Sequence, residues 1–172
     1  MKNIQFRKLL TAALATSLTL ALTACGEKEP AGNDPASSGT VYKVGIVKLM
    51  DHASLDQIER KVQAQLDVKS EELGVTFNYQ DYTYNGQGDN STLNQIAAQL
   101  VSDGVDVVVP IATPAAQVMQ SVVLEEGIPI IFAAVSDPIT AKLVDSLEAP
   151  GGMITGVSDA LNTEMIMDLM RS

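Results

Sequence analysis

The sequence predicts an α/β fold: a doubly wound parallel sheet with strand order 2-1-3-4-5 and helices on both faces. Short apolar runs alternate with amphipathic stretches from Val41 to Val157, a pattern typical of strand–helix units. The run 106–112 is almost wholly apolar, as expected of a strand that is buried on both faces. Because crossovers between parallel strands are right-handed, few topologies remain, and this order is the one we predict.

Each element has its own signal in the chain. Ser54 and Gln57 form a capping box ahead of the first helix. Gly74 and Gly104 are expected to end the first two helices, because glycine readily adopts the left-handed conformation of a helix end. The predicted strands are 41–49, 75–82, 106–112, 129–135 and 153–157. The predicted helices are 55–73, 93–101, 114–126 and 138–147, with a further helix that starts at Asn162.

Residues 1–24 are predicted to be a lipoprotein signal peptide. A basic start precedes the uncharged run 9–24, which is shorter than the roughly 20 residues that a membrane-spanning helix needs. The run ends in Leu22-Thr23-Ala24-Cys25, which resembles a bacterial lipoprotein box, where the cysteine thiol is the site of lipidation. Cys25 is the only cysteine, so the chain forms no internal disulfide. An ordinary signal peptide that happens to carry a cysteine is the alternative.

The segment 25–40 is expected to be the lipidated Cys25 and a flexible tether, because its residues are mainly small, polar or charged. Without 1–24, which hold three of the 11 basic residues and none of the 21 acidic ones, the formal charge falls from −10 to −13. Such a charge disfavours nucleic acid as a partner and electrostatic adhesion to anionic lipid. Membrane attachment is therefore expected through acyl chains.

The ligand site is predicted at the carboxyl ends of the strands, where open parallel sheets bind ligands. Four loops lie there: 50–54, 83–90, 112–114 and 136–138. Thr113-Pro114 and Asp137-Pro138 each place a small polar residue at a helix N-cap and proline at the first helical position. Free N–H groups and the positive helix ends would then face one cleft. The same pairs are also typical of ordinary helix starts.

This cleft has the chemistry to hold a zwitterion such as an amino acid. Ala115 and Ala116 would leave backbone N–H groups accessible to a carboxylate, with the Thr113 hydroxyl as a further donor. Asp137 or nearby carbonyl groups could accept hydrogen bonds from an ammonium group.

The sequence predicts no enzyme, no cofactor and no metal. His52, the single histidine, stands beside Asp51 without the further ligands that a metal site needs. No serine has a histidine and an acid placed around it for a catalytic triad. Gly86-Gln87-Gly88 is too short for a dinucleotide fingerprint and follows the wrong strand.

Five ordered blocks resemble the substrate-binding lipoproteins of ABC transporters that include binders of tryptophan and other aromatic amino acids. They cover the chain from Val41 to its end. The blocks are Asp51-His52-Ala53-Ser54-Leu55-Asp56, Asn85-Gly86-Gln87-Gly88-Asp89, Ile111-Ala112-Thr113-Pro114-Ala115-Ala116-Gln117, Phe132-Ala133-Ala134-Val135-Ser136-Asp137-Pro138, and Pro150-Gly151-Gly152 with Thr155-Gly156-Val157-Ser158-Asp159. The family usually has Ala in place of Gly86 and Thr in place of Ser136, and both departures lie in loops that meet the ligand.

The resemblance implies the first lobe of a type I periplasmic-binding-protein fold. Residues 41–157 would form the N-terminal ligand-binding lobe, and 158–172 the hinge and the start of a truncated second lobe. A last helix that docks on the sheet is the alternative for that segment.

The resemblance also implies site residues. Thr113 and Ser136 are expected to contact the ligand's carboxylate. Pro114 and Ala115, which follow Thr113, belong to the same binding loop. Asp137 would contact the amine or orient its loop. The loops that carry Asp51 with His52, and Gln87, would contact the ligand's side chain or the second lobe.

The implied function is capture of a small solute, an amino acid and in particular an aromatic one, for delivery to an ABC permease. The protein would lie on the outer face of the cytoplasmic membrane or in the periplasm, anchored by lipid on Cys25. The alternatives are an exported sensing module for a membrane receptor and a truncated lobe without function.

Overall fold

The computed structural model describes residues 39–160 and 163–171. The strands are β1 Val41–Lys48, β2 Thr76–Asn78, β3 Thr83–Asn85, β4 Val107–Ile111, β5 Ile130–Val135 and β6 Ile154–Ser158. The helices are α1 Ala53–Leu73, α2 Asn90–Asp103, α3 Thr113–Val123 and α4 Thr163–Arg171, with short 3-10 turns at Gln80–Tyr82 and Leu124–Glu126.

All strand pairs are parallel, and the sheet runs β2-β1-β4-β5-β6, with β3 also paired to β1. β2 and β3 together take the place of the predicted second strand. The order is therefore the predicted 2-1-3-4-5, and the doubly wound α/β fold is confirmed.

The prediction of one continuous strand over 75–82 is wrong. Between the paired positions Lys43–Asn78 and Ile46–Thr83, β1 advances three residues and its partner five. The 3-10 turn takes up the difference, because the Tyr79 carbonyl accepts hydrogen bonds from the N–H of Tyr82 at 3.0 Å and from the Thr83 hydroxyl at 2.8 Å. A strand would instead use that carbonyl in the sheet.

The two faces of the sheet are covered to different extents. α2 and α3 pack Leu93, Leu100 and Met119 against one face, which we call the covered face, and these side chains are fully buried. α1 lies on the other face, which we call the open face, over the β1 and β4 side chains. Beyond α1, Ile131 of β5 is 45% exposed and Val157 of β6 is 68% exposed. A groove of about 700 Å³ with mainly apolar walls lies between α1 and these strands.

The helix ends agree with the sequence at the C-termini and differ at the N-termini. Gly74 and Gly104 end α1 and α2 in the left-handed conformation, as predicted. The capping box at Ser54 is wrong, because α1 begins earlier and His52 is its N-cap. Thr113 is likewise not an N-cap: it is already the first residue of α3, and Ala112 precedes it.

The predicted fourth helix over 138–147 is wrong, since the segment makes one turn only. The N–H of Leu143 donates to the Pro138 carbonyl and the N–H of Lys142 to the Ile139 carbonyl, both at 2.9 Å. Lys142 has a φ of 59°. This pair of hydrogen bonds around a left-handed residue is the arrangement that ends helices. The Gln120 amide on α3 donates to the Lys142 carbonyl at 2.9 Å and holds the turn in place.

Several predictions lie outside the described residues: the signal peptide 1–24, the lipid site Cys25, the tether up to residue 38, and the cap at Asn162. Across 39–160 and 163–171, no helix has the length and apolar character needed to cross a membrane.

Candidate functional site

The four predicted loops meet at one edge of the sheet. The Gly88 N–H donates to the Leu49 carbonyl at 2.8 Å, which joins the loop after β3 to the loop after β1. The Leu49 N–H donates to the Ile111 carbonyl at 3.2 Å, and the Ala112 N–H donates to the Ala133 carbonyl at 3.0 Å. These bonds continue across the carboxyl ends of β1, β4 and β5, so the topology brings the predicted site residues side by side.

Backbone strain gathers at this edge. Of the four non-glycine residues with positive φ in the described chain, Gln87, Ala112 and Ala134 lie here, and only Lys142 lies elsewhere. Ala112 has φ 86° and ψ 152°, a conformation that is essentially restricted to glycine. Strain of this kind costs on the order of 1–3 kcal/mol and collects at ligand sites. This strain could not be predicted from the residue types, because alanine does not favour positive φ.

The start of α3 presents a backbone donor to the edge. Thr113 is half-buried and Pro114 is exposed. The Ala116 N–H is used inside the helix, where it donates to the Ala112 carbonyl at 3.1 Å. The expectation of an accessible N–H at Ala116 is therefore wrong. Ala115 is fully buried, so the expectation of an accessible N–H there is wrong as well. The half-buried Thr113 carries the remaining N–H of the first turn, which has no intrahelical acceptor for it.

The loop after β5 is fixed by its own aspartate. Both carboxylate oxygens of Asp137 accept from Thr140, at 2.9 Å from the N–H and at 2.6 Å from the hydroxyl. These hydrogen bonds, the hydroxyl first, lower the pKa of Asp137. The neighbouring Ser136 is exposed, and its carbonyl accepts from the Ser158 hydroxyl at 3.2 Å. A depression of about 500 Å³ opens here, lined by Ser136, Asp137, Pro138, Ile139, Leu147, Ser158 and Ala160.

The first loop carries Asp51 and His52, both exposed. The His52 Nδ1 accepts from the Ser54 N–H at 3.3 Å and so caps α1. At the end of β1, Lys48 lies 3.0 Å from Asp51 and 2.7 Å from Asp56. Lys48 was not among the predicted site residues. The acids at positions 51, 56 and 59 could have indicated a partner cation.

Gln87 stands exposed in the loop after β3. Its N–H donates to the Asn85 side-chain oxygen at 2.8 Å, which closes a tight turn with Gln87 at φ 54°. The Gln87 side chain therefore projects from a fixed backbone beside the first loop.

We take this edge, and not the larger apolar groove, as the candidate site. Backbone donors, hydroxyl groups and carboxylates converge here, whereas the groove walls are mainly apolar. In the described part of the chain, no three histidine, cysteine, aspartate or glutamate residues are grouped to hold a metal ion. The edge thus offers neutral and charged hydrogen-bonding groups suited to a small polar molecule.

Comparison with known families agrees with this geometry. The family model described as ABC transporter substrate binding protein matches residues 43–172. The chain belongs to this family. It is a family of solute-binding proteins and not of enzymes, and its fold is the type I periplasmic-binding-protein fold. The resemblance seen in the sequence is confirmed.

Three similar proteins illustrate the membership. A tyrosine-binding protein of Clostridioides difficile (strain R20291) is 33% identical over 98% of this chain. The structure of an ABC domain in complex with L-Trp from Streptococcus pneumonia is 37% identical over 77% of this chain, with a TM-score of 0.67. A conserved domain protein from Vibrio cholerae is 34% identical over 76% of it, with a TM-score of 0.65. The chain spans 49% of the first protein and 43% of each of the two solved chains.

Proposed function

We propose that this protein is the substrate-binding component of an ABC import system and captures an amino acid, in particular an aromatic one. The match of residues 43–172 to the family carries the proposal. Two relatives add the ligand class, because one is named for tyrosine binding and the other was solved with L-Trp. The ligand would be held between this lobe and a second one and delivered to a permease.

The site residues take separate parts in this proposal. The α3 start, with the Thr113 hydroxyl and N–H, would receive the ligand's carboxylate together with Ser136. Pro114 and Ala115 shape that turn. Asp137 would orient its loop, since each of its oxygens accepts one hydrogen bond from Thr140, and the remaining lone pairs could accept from the ligand's amine.

The exposed loops complete the site. The Asp51 side chain is 78% exposed although one of its oxygens lies 3.0 Å from Lys48, so it would still accept from the ligand's ammonium group. His52 and Gln87, both exposed, would contact the ligand's side chain or the second lobe. Closure of the two lobes follows from the tighter binding of the ligand by the closed form.

The location of the protein is part of the same proposal. Import receptors act outside the cytoplasm, and acylation of Cys25 would anchor this one to the membrane. Mass spectrometry of the protein extracted in detergent from native membranes tests this. Acyl groups on Cys25, with residues 1–24 removed, would support it, and an unmodified Cys25 would contradict it.

The ligand proposal is tested by NMR titration of the ¹⁵N-labelled chain with L-tyrosine and L-tryptophan. We expect shifts at the amides of Thr113, Ala115 and Ser136. The amino acid amides, which lack the carboxylate, should shift them much less. Thr113→Val and Ser136→Ala should weaken the response, whereas Ser121→Ala, which removes an exposed hydroxyl farther along α3, should not. Equal responses to acid and amide, or none to any amino acid, would contradict the assignment.

A further inference from the structure

Lys48 is the cation at the carboxyl end of β1, and three acidic side chains surround it. Its Nζ lies 2.7 Å from Asp56, 3.0 Å from Asp51 and 3.2 Å from Glu59. The Lys48 side chain is only 14% exposed, although lysine is usually solvated. Asp51 belongs to the first loop, while Asp56 and Glu59 are three residues apart and lie on one side of α1.

A lysine at this edge could have one of two roles. It could bind the ligand's carboxylate, or it could bind carboxylates of the protein itself. The contacts decide for the second. Lys48 has three donors, and three carboxylates of the protein lie within 3.2 Å of its Nζ. The hydrogen bond to Asp56, together with the other two acids, raises the pKa of Lys48 well above its ordinary value despite partial burial.

We propose that Lys48 is a positioning residue of the binding cleft, which fixes the first loop by tying Asp51 to α1 and β1, and is not itself a ligand contact. The proposal rests on the proposed function only in calling this loop part of the cleft.

The end of the loop is held by the His52 carbonyl, which accepts from the Asp56 N–H at 2.9 Å, but Asp51 itself depends on Lys48. The His52 cap on α1 is a 3.3 Å contact, longer than an ordinary hydrogen bond. Leu49 is fixed by backbone bonds to its neighbours, but Met50 and Asp51 are exposed. Through Lys48, the Asp51 carboxylate is held 3.0 Å from a cation rooted in the sheet.

Glu59 makes Lys48 hard to replace. The Glu59 Oε2 atom is buried and has no hydrogen-bond donor among the described residues. Lys48 is the cation beside it, at 3.2 Å, so the contact is an ion pair and not a hydrogen bond. Loss of Lys48 would leave this oxygen charged and unpaired, with Asp56 and Asp51 nearby, and the three acids would repel one another.

Amide hydrogen exchange of the chain tests the proposal without any ligand. The N–H groups of Ser54, Asp56 and Gly88 donate to His52 and Leu49 and so report on the loop. In Lys48→Met, which keeps the length of the stem, we expect these three amides to exchange about tenfold faster, after correction for the change in global stability. Lys48→Arg, which keeps the cation, should restore most of the protection.

Two further variants separate positioning from general stability. Val62→Ala weakens the packing of α1 on the open face and should lower the melting temperature while leaving the three loop amides as protected as the rest of the chain. Asp51→Asn, an exposed change that leaves the fold intact, should speed exchange at Ser54 and Gly88 but not in the body of α1. If Lys48→Met affects the loop amides no more than Val62→Ala does, Lys48 is a general stabiliser and the proposal is wrong.

The same samples distinguish this proposal from the proposed function. If Lys48→Met abolishes the amino-acid response while the loop amides stay protected, Lys48 contacts the ligand directly, and the positioning role is overturned. If the parent chain binds no amino acid but the loop amides respond as expected, the ligand assignment fails and the positioning role stands.

Discussion

Ile130 and Ile131 are neighbours in β5, yet one is fully buried and the other is 45% exposed. The strand points them to opposite faces. Ile130 faces α2 and α3 on the covered face, and Ile131 faces the groove beside α1 on the open face. Alternation along a strand therefore predicts which face of the sheet a side chain lies on. Whether that side chain is buried depends on the helices that cover the face.

Truncation of these two isoleucines should give the largest difference in stability between the two faces. Ile130→Ala leaves a cavity in the covered face and should lower the free energy of unfolding by about 2–5 kcal/mol. Ile131→Ala removes a side chain that water already reaches, so the loss should be less than half as large. Urea denaturation of both variants measures the difference. Equal losses would mean that the open face is as well packed as the covered one.

Enlargement of side chains should also destabilise the covered face more than the open face, by a smaller amount. A Cβ on Gly86 would collide with the Leu93 side chain and approach the Leu49 carbonyl oxygen, and Leu93 is fully buried in the covered face. Gly86→Ala should therefore cost about 1–3 kcal/mol of unfolding free energy. Ala133→Val adds two methyl groups beside the groove and should change stability by no more than about 0.5 kcal/mol. Thermal unfolding of the pair checks this.

The groove should bind an apolar dye. We expect anilinonaphthalene sulfonate to fluoresce with the folded chain, because the dye binds contiguous exposed apolar surface, which most folded proteins do not present. Ile131→Lys should reduce the signal by placing a charge on the groove wall. Val68→Lys, which adds the same charge at an exposed position of α1 outside the groove, serves as the control. Equal loss in both variants would place the dye elsewhere.

The smallest effect that we expect is a loss of stability in acid at the start of α2, on the covered face. Asp89 caps α2 by accepting from the Thr92 N–H at 2.7 Å, and this bond lowers the pKa of Asp89 below its ordinary 3.8. The stabilisation is therefore present above 3.8 and is lost as pH falls through the lower folded value. The Thr92 amide should lose protection there, after correction for intrinsic exchange. In Asp89→Asn the acid dependence should disappear, and its persistence would assign it to another group.

The sequence predicted the parts of the fold that depend on repeated patterns. The strand order followed from apolar runs such as 106–112, and the ends of α1 and α2 followed from Gly74 and Gly104. Lys142 could not be foreseen as a helix end, because lysine has no special preference for positive φ and its turn is held by side chains of α3. The break near Tyr79 depends on contacts outside the strand, including its hydroxyl bond to Asp67 of α1 at 2.8 Å.

The position of the candidate site could be predicted from the sequence, but the roles of its individual residues could be predicted less well. Topology alone brings the loops of Thr113 and Ser136 to one edge. The part taken by Asp137 depends on Thr140, three residues on, and the strain at Ala112 depends on how α3 meets β4. The Asp137–Thr140 contact is local and could have been read from the spacing of the two residues, whereas the conformation of Ala112 arises from tertiary packing, which no local pattern contains.

β1 is the first strand among the described residues and an interior strand of the sheet, with β2 and β3 on one side and β4 on the other. Its Lys43 N–H donates to the Asp106 carboxylate, 63 residues farther along the chain. On a chain that emerges from the ribosome N-terminus first, one side of β1 therefore stays unpaired until β4 has also emerged. Contacts so distant in sequence form slowly. The sheet can therefore close around β1 only after more than 100 residues have been synthesised.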